Sequence, residues 1–257
     1  MKPFKLCLGP VAALAATILL AACGGSDDVS DPVGSEDPTD PGSPTDPQDS
    51  LGDVEPGEPT TKTVEVNGES RSFLIYVPES GSRKSNQLAD QPVVIVFHGS
   101  TQNSDTPFSE TGGANQEWLE IAEEDGVILV APNGSNMLTG SADGELQTWN
   151  NCGSSPLSGS SSDIEFVDTL LDTIIAAGVD QNRIYVTGGS NGGRFSFRVA
   201  IELGDRIAGA AAFSATLEDS DECGEPVAPV PMMIVNGTMD PILLTSEVTG
   251  TVSAQTS

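Results

Sequence analysis

Apolar residues along this chain fall into short runs whose spacing switches between two and about three and a half residues. Thr63-Val-Glu-Val66 alternates, and Arg71-Ser-Phe-Leu-Ile-Tyr-Val77 turns apolar in its second half. Asn67-Gly68 stands between them, so the pair predicts an antiparallel hairpin, closed by Pro78. Val93-Val-Ile-Val-Phe97 and Val127-Ile-Leu-Val-Ala131 are apolar throughout, the pattern of strands buried on both faces. Between them Trp118 to Glu124 predicts a short helix. Ser162-x-x-Glu165 reads as a capping box. Behind it Ile164, Val167, Leu171 and Ile174 share one helical face, and Gly178 ends the helix. Further on come a strand at Arg183 to Thr187, a helix at Arg194 to Leu203, and strands near Ala208 to Phe213 and Met232 to Asn236. Strands alternating with helices predict a mostly parallel sheet covered on both faces, an α/β domain over residues 61–257.

The first sixty residues follow no such pattern. Met1 to Lys5 is basic and Leu6 to Leu20 is apolar, too short and alanine-rich for a membrane span, which predicts an export signal over residues 1–22. Leu20-Ala21-Ala22-Cys23 resembles the lipobox of bacterial lipoproteins, which implies lipidation of Cys23 and an outer-membrane anchor; an ordinary cleaved signal with a chance cysteine is the alternative. Residues 23–60 repeat Asp-Pro at Asp31, Asp37, Asp40 and Asp46 and are poor in aliphatic side chains. Such a segment buries too little to offset its ordering entropy and is expected to be a disordered tether. Calcium binding by its acids is a weaker reading, because nothing fixes their geometry.

Charge sharpens the picture. The chain carries 38 acidic and 10 basic residues, a net charge of -28, and the tether holds only 11 of the acids. A folded domain this acidic repels polyanions, which excludes nucleic acid as a partner. Of four cysteines, Cys7 leaves with the signal and Cys23 is the lipid site. Cys152 and Cys223 remain as the pair available for a disulfide in an oxidising compartment, and two cysteines without a histidine pair are too few for a structural zinc site. No metal or cofactor is expected.

The candidate chemistry sits at Gly188-Gly189-Ser190-Asn191-Gly192, a G-x-S-x-G motif between a predicted strand and a predicted helix. That is the setting of a nucleophile elbow, in which a sharp turn holds a serine hydroxyl exposed and the helix N-terminus faces a developing oxyanion. Asp240, just past the last predicted strand, is placed to orient a catalytic histidine. His98-Gly99-Ser100 follows a buried strand and is expected to supply one oxyanion N–H from Ser100, with the second from Asn191. The His98 side chain itself reads as a brace for that loop.

With these residues in place the chain resembles secreted esterases grouped as poly(3-hydroxybutyrate) depolymerases and feruloyl or acetylxylan esterases. The shared stretches are Arg71 to Pro78, Val94 to Gln102, Thr148-Trp-Asn, Ser162 to Phe166, Arg183 to Gly193 and Pro231 to Pro241. The resemblance implies an α/β-hydrolase fold with Ser190 as nucleophile, Asp240 as triad acid and a polymeric or oligomeric ester as substrate. Relatives commonly carry cysteine at the position of Ser100, and His-Gly-Thr where this chain has Asn236-Gly-Thr. The triad histidine, expected after Asp240, is absent: the one histidine is His98. The sequence therefore reads as truncated, lacking the last strand and helix, and as inactive or strongly impaired. The competing reading is a non-catalytic surface lipoprotein with a binding role.

Overall fold

A computed structural model describes residues 51, 54–79, 88, 91–109, 117–142, 144–153, 159, 161–217 and 223–240. The expected signal segment, Cys23 and most of the tether lie outside the described residues. The chain divides into two units, Met1–Ser43 and Pro44–Ser257, and every described residue belongs to the second. Among the described residues no helix is long and apolar enough to cross a membrane.

Strands β1 (Thr60–Val66) and β2 (Glu69–Tyr76) form the expected hairpin. Its turn places Asn67 and Gly68 at φ 54° and 82°, the left-handed region that asparagine and glycine tolerate best. Strands β3 (Val93–Phe97) and β4 (Ile128–Pro132) are buried almost throughout. A two-stranded ribbon of β5 (Ser135–Asn136) and β6 (Gln147–Thr148) stands apart from the main sheet. With strands β7 (Ile184–Gly189), β8 (Gly209–Phe213) and β9 (Met232–Val235) the described residues form a seven-stranded sheet in the order β1-β2-β4-β3-β7-β8-β9. β1, β2 and β4 pair antiparallel, and every later pairing is parallel.

Helices α2 (Asp163–Ala176) and α3 (Asn191–Glu202) cover one face, and their apolar sides close the main core with Phe73, Ile95, Phe97, Ile128 and Val186. The shorter α1 (Glu117–Asp125) packs on the other face against Tyr76, Val94 and Leu129. It leaves the β7–β9 end of that face open: Tyr185, Phe213, Met233 and Val235 are 36–53% exposed.

Helix boundaries follow local chemistry with two departures. α2 ends at Gly178, φ 98°, where Gly178 N–H donates to Ile175 O and Val179 N–H to Ile174 O, the two bonds of a Schellman motif. Its start is not the capping box read from the sequence, since the Ser162 side chain makes no cap bond. The helix start is anchored instead by buried Asp163, whose carboxylate accepts from Arg71 Nη2 at 2.8 Å and from the Asn150 N–H at 2.7 Å. α3 begins at Asn191 rather than near Arg194, because the elbow carries Asn-Gly-Gly into the first turn despite their weak helix propensity. Cys152 and Cys223 are joined by a disulfide, Cα atoms 5.3 Å apart, that ties the loop after β6 to the segment leading into β9.

Candidate active site

Ser190 closes β7 and caps α3 with φ 54° and ψ −120°, a conformation costly for any residue with a side chain. Three close approaches hold it there. A Cβ on Gly188 would lie 2.4 Å from Gly192 C, and one on Gly192 would lie 2.2 Å from Phe97 O and 2.5 Å from His98 O. The main chain of α3's first turn therefore sits directly on the end of β3, which only glycine permits. Ser190 N–H donates to Phe213 O at 2.9 Å, locking the turn to β8. Its side chain is exposed, and among the described residues its hydroxyl has no hydrogen-bond partner. A Cβ on Gly189 would meet nothing within 4 Å, so the second residue of the motif is sterically open.

The loop after β3 is braced on both sides of Ser100. Gln102 Oε1 accepts from Gly99 N–H at 2.8 Å, and Thr101, at φ 65°, donates its N–H to Gln147 O at 2.7 Å. Among the described residues the Ser100 N–H has no acceptor, and its buried hydroxyl has no partner either. His98 is 3% exposed, and both ring nitrogens are engaged. Nε2 accepts the Gly134 N–H at 3.0 Å, which leaves Nδ1 to donate to Gly99 O at 2.8 Å. Burial pushes its pKa down to about 4, although the Gly99 carbonyl and the Asp163 charge pull the other way. A neutral imidazole with both nitrogens occupied can brace a loop but cannot take a proton from Ser190.

The Trp149 segment links these parts. Its main-chain N–H donates to Asn191 Oδ1 at 2.8 Å and its indole Nε1 donates to His98 O at 3.0 Å. The ring stacks on Phe195 with centroids 4.8 Å apart and meets Phe97 edge-on at 5.2 Å. Behind it the Arg71–Asp163 pair is fully buried, and the Arg71 guanidinium lies over the Phe166 ring at 4.3 Å. Sequence reading picked out Thr148-Trp-Asn and Asp163 only as family stretches. Their partners His98, Asn191 and Arg71 lie 42 to 92 residues away, and no local pattern reveals them.

Ser190 and Ser100 line one cavity of about 730 Å³ at the ends of β3 and β7, walled by Trp118, Ile121, Pro107 and Phe213. Apolar walls interspersed with polar side chains, Gln102, Glu117 and Ser214 among them, are the usual build of a small-molecule site. Asn191 lies buried behind Ser190. Asp240 does not line the cavity. It ends a turn after β9, its N–H donating to Gly237 O at 3.1 Å, and β8 lies between that strand and β7. Among the described residues one cluster has metal-ligand proximity, Cys152, Glu202 and Cys223, and its two sulfurs are bonded to each other.

The family of phospholipases and carboxylesterases matches this chain over residues 83–253, a span that contains the strand-turn-helix elbow and the loop after β3. The chain belongs to that family. It is 26% identical over 184 residues to a bifunctional acetylxylan esterase/xylanase of Neocallimastix patriciarum, covering 71% of this chain and 23% of that protein. It is also 26% identical over 151 residues to a poly(3-hydroxybutyrate) depolymerase of Ralstonia pickettii, covering 56% and 29%. The chain thus spans less than a third of the length of these two relatives. Among solved structures, a fluorophosphonate-binding serine hydrolase of Staphylococcus aureus superposes with a TM-score of 0.53 at 14% identity, covering 79% of this chain and 87% of that one. A thermostable esterase gives a TM-score of 0.53 at 17% identity, with coverage of 76% and 50%. At such identities the likeness is one of fold, and the fold is the α/β-hydrolase.

Proposed function

We propose that this chain carries the nucleophile and oxyanion hole of a serine esterase. The carrying observation is Ser190 itself, held at φ 54° between β7 and α3 with its hydroxyl facing the cavity that the Ser100 loop also lines. In this reading Ser190 Oγ attacks the ester carbonyl carbon as its proton passes to a base. The tetrahedral oxygen accepts from the N–H groups of Ser100 and Asn191. Collapse expels the alcohol, and water then releases the acid from Ser190 by the same steps. Asp240 would orient the imidazole of a Ser-His-Asp triad. That imidazole is not among these 257 residues, since the one histidine is the engaged His98.

The substrate class is a carboxylic ester, of the polyhydroxyalkanoate type or an acetyl ester on plant polysaccharide, in line with the names of the relatives above, or a feruloyl ester, on the sequence resemblance. We assign residues 1–22 to export, Cys23 to a lipid anchor and 23–60 to a tether that holds the domain off the cell envelope, on the sequence pattern alone.

The test is hydrolysis of a short-chain aryl ester at pH 7–8 by the chain and by Ser190→Ala, with and without free imidazole as a replacement base. Imidazole should raise turnover in the parent well above its own solution rate and leave Ser190→Ala at that solution rate. Equal rates for the two proteins would sink the esterase reading and favour a binding lipoprotein.

A further inference from the structure

We infer that the strip Gln147–Asn150 is a splint that sets the spacing between the two oxyanion N–H groups, with Trp149 as its positioning residue. The inference rests on the esterase reading above. The two donors belong to different elements: Ser100 to the loop after β3, Asn191 to the first turn of α3. Pairing of β3 with β7 and the seat of Gly192 on Phe97 and His98 bring the two elements together. The final spacing and aim of the N–H groups must still be set, because an oxyanion hole works only if both point at one atom.

The strip touches both arms at once. Gln147 O accepts the Thr101 N–H at 2.7 Å, one residue after Ser100, and the Trp149 indole N–H donates to His98 O at 3.0 Å, two residues before it. Ser100 is thus held from both sides. On the other arm, Trp149 N–H donates to Asn191 Oδ1 at 2.8 Å, and Asn191 Nδ2 donates back to Trp149 O at 3.3 Å. These two bonds fix the Asn191 side chain, and with it the orientation of the peptide that carries the Asn191 N–H. The strip does not drift with either arm, because Asn150 N–H is bonded to Asp163 Oδ2 at 2.7 Å and the Trp149 ring stacks on Phe195 of α3. Trp149 is fully buried and does not line the cavity, so it acts on the hole through its neighbours and not by touching substrate.

The test measures acylation of Ser190 by an aryl ester in imidazole-containing buffer, as a maximal rate and a half-saturating ester concentration, for the parent, Trp149→Phe, Asn191→Leu and Ser190→Ala. Trp149→Phe keeps a ring on Phe195 but removes the bond to His98 O. Asn191→Leu keeps its own backbone N–H but releases Trp149. Loss of one donor costs about 10²- to 10³-fold, so mis-aiming should cost roughly tenfold or more in maximal rate, with half-saturation unchanged. Parent-like rates in both variants, a rise in half-saturation with the rate intact, or unfolding of both by circular dichroism would overturn the splint. A parent whose acylation does not depend on Ser190 would overturn the esterase reading first, and the splint with it.

Discussion

The two halves of the candidate site are built differently. The half that holds Ser190, Asn191 and Ser100 lies at the centre of the sheet, over a buried polar network. His98, Trp149, Asp163 and Asn191 are each 4% exposed or less, and each has side-chain partners at 2.7 to 3.3 Å. The half that holds Asp240 lies past β9, the edge strand of the sheet among the described residues. Met239 beside it is 91% exposed, and Met233 and Val235 turn half-exposed faces to solvent. Asn236 is the main tie there, bonding Ala215 N and O at 2.9 Å each. A centre strand is fixed from both sides and by the helices above, so it can hold a strained residue. An edge strand is fixed from one side, so the accuracy of anything placed after it depends on what packs against its open face.

Substitutions should therefore be costly in the first half and mild in the second. The largest effect is expected at Gly192→Ala, where the new Cβ would meet two main-chain oxygens at 2.2 and 2.5 Å that have nowhere to go. A loss of more than about 4 kcal/mol, or failure to fold, is the expected result of urea unfolding. A small shift in midpoint would mean that the elbow is more pliable than its geometry implies. Next comes Asp163→Ala, which strands the buried Arg71 guanidinium without its carboxylate and frees the Asn150 N–H. Breaking such a pair from one side costs about 3–5 kcal/mol. The double variant with Arg71→Met should recover part of that.

His98 supplies a pH signature of the same network. Its folded pKa of about 4 lies below the ordinary 6.5, so the unfolded chain binds the proton more readily. The associated stability is complete above about pH 6.5 and is lost as pH falls toward 4, on the order of 3 kcal/mol in all. His98→Gln should flatten the stability profile across that window, and a profile unchanged by the substitution would show that His98 is not buried neutral. The smallest effect on stability is expected at half-buried Asp240→Asn, no more than about 1 kcal/mol, because the amide keeps the shape of the carboxylate. In the proposed triad Asp240 orients the base, so the same variant should still lower the imidazole-supported rate.

The contrast also explains what could be read from the chain beforehand. β3 and β4 were legible because strands buried on both faces are written as unbroken apolar runs. The elbow was legible because Gly188, Ser190 and Gly192 stand within five residues, although the β3 end that makes Gly192 necessary lies far off in the chain. The Asn67-Gly68 hairpin and the Gly178 helix stop are local in the same sense. What escaped was long-range and polar. The Arg71–Asp163 pair spans 92 residues and the Trp149–Asn191 bonds span 42, and neither leaves a periodic trace. The short β5–β6 ribbon sits in a stretch rich in Ser, Gly and Asn that reads as loop. Its strands are two residues long and are held by Gln147 and Thr101 rather than by any apolar pattern of their own. Ser162-x-x-Glu165 marked the right place for a helix start but the wrong chemistry, because Asp163 anchors that turn through the core.

The most direct test of the account is the site of covalent labelling. The chain is treated with a fluorophosphonate in imidazole-containing buffer, digested and mapped by mass spectrometry beside Ser190→Ala. The account predicts one phosphonylated residue, Ser190, and an unlabelled Ser190→Ala protein. A label on Ser100 or Ser214, or equal labelling of the variant, would contradict it.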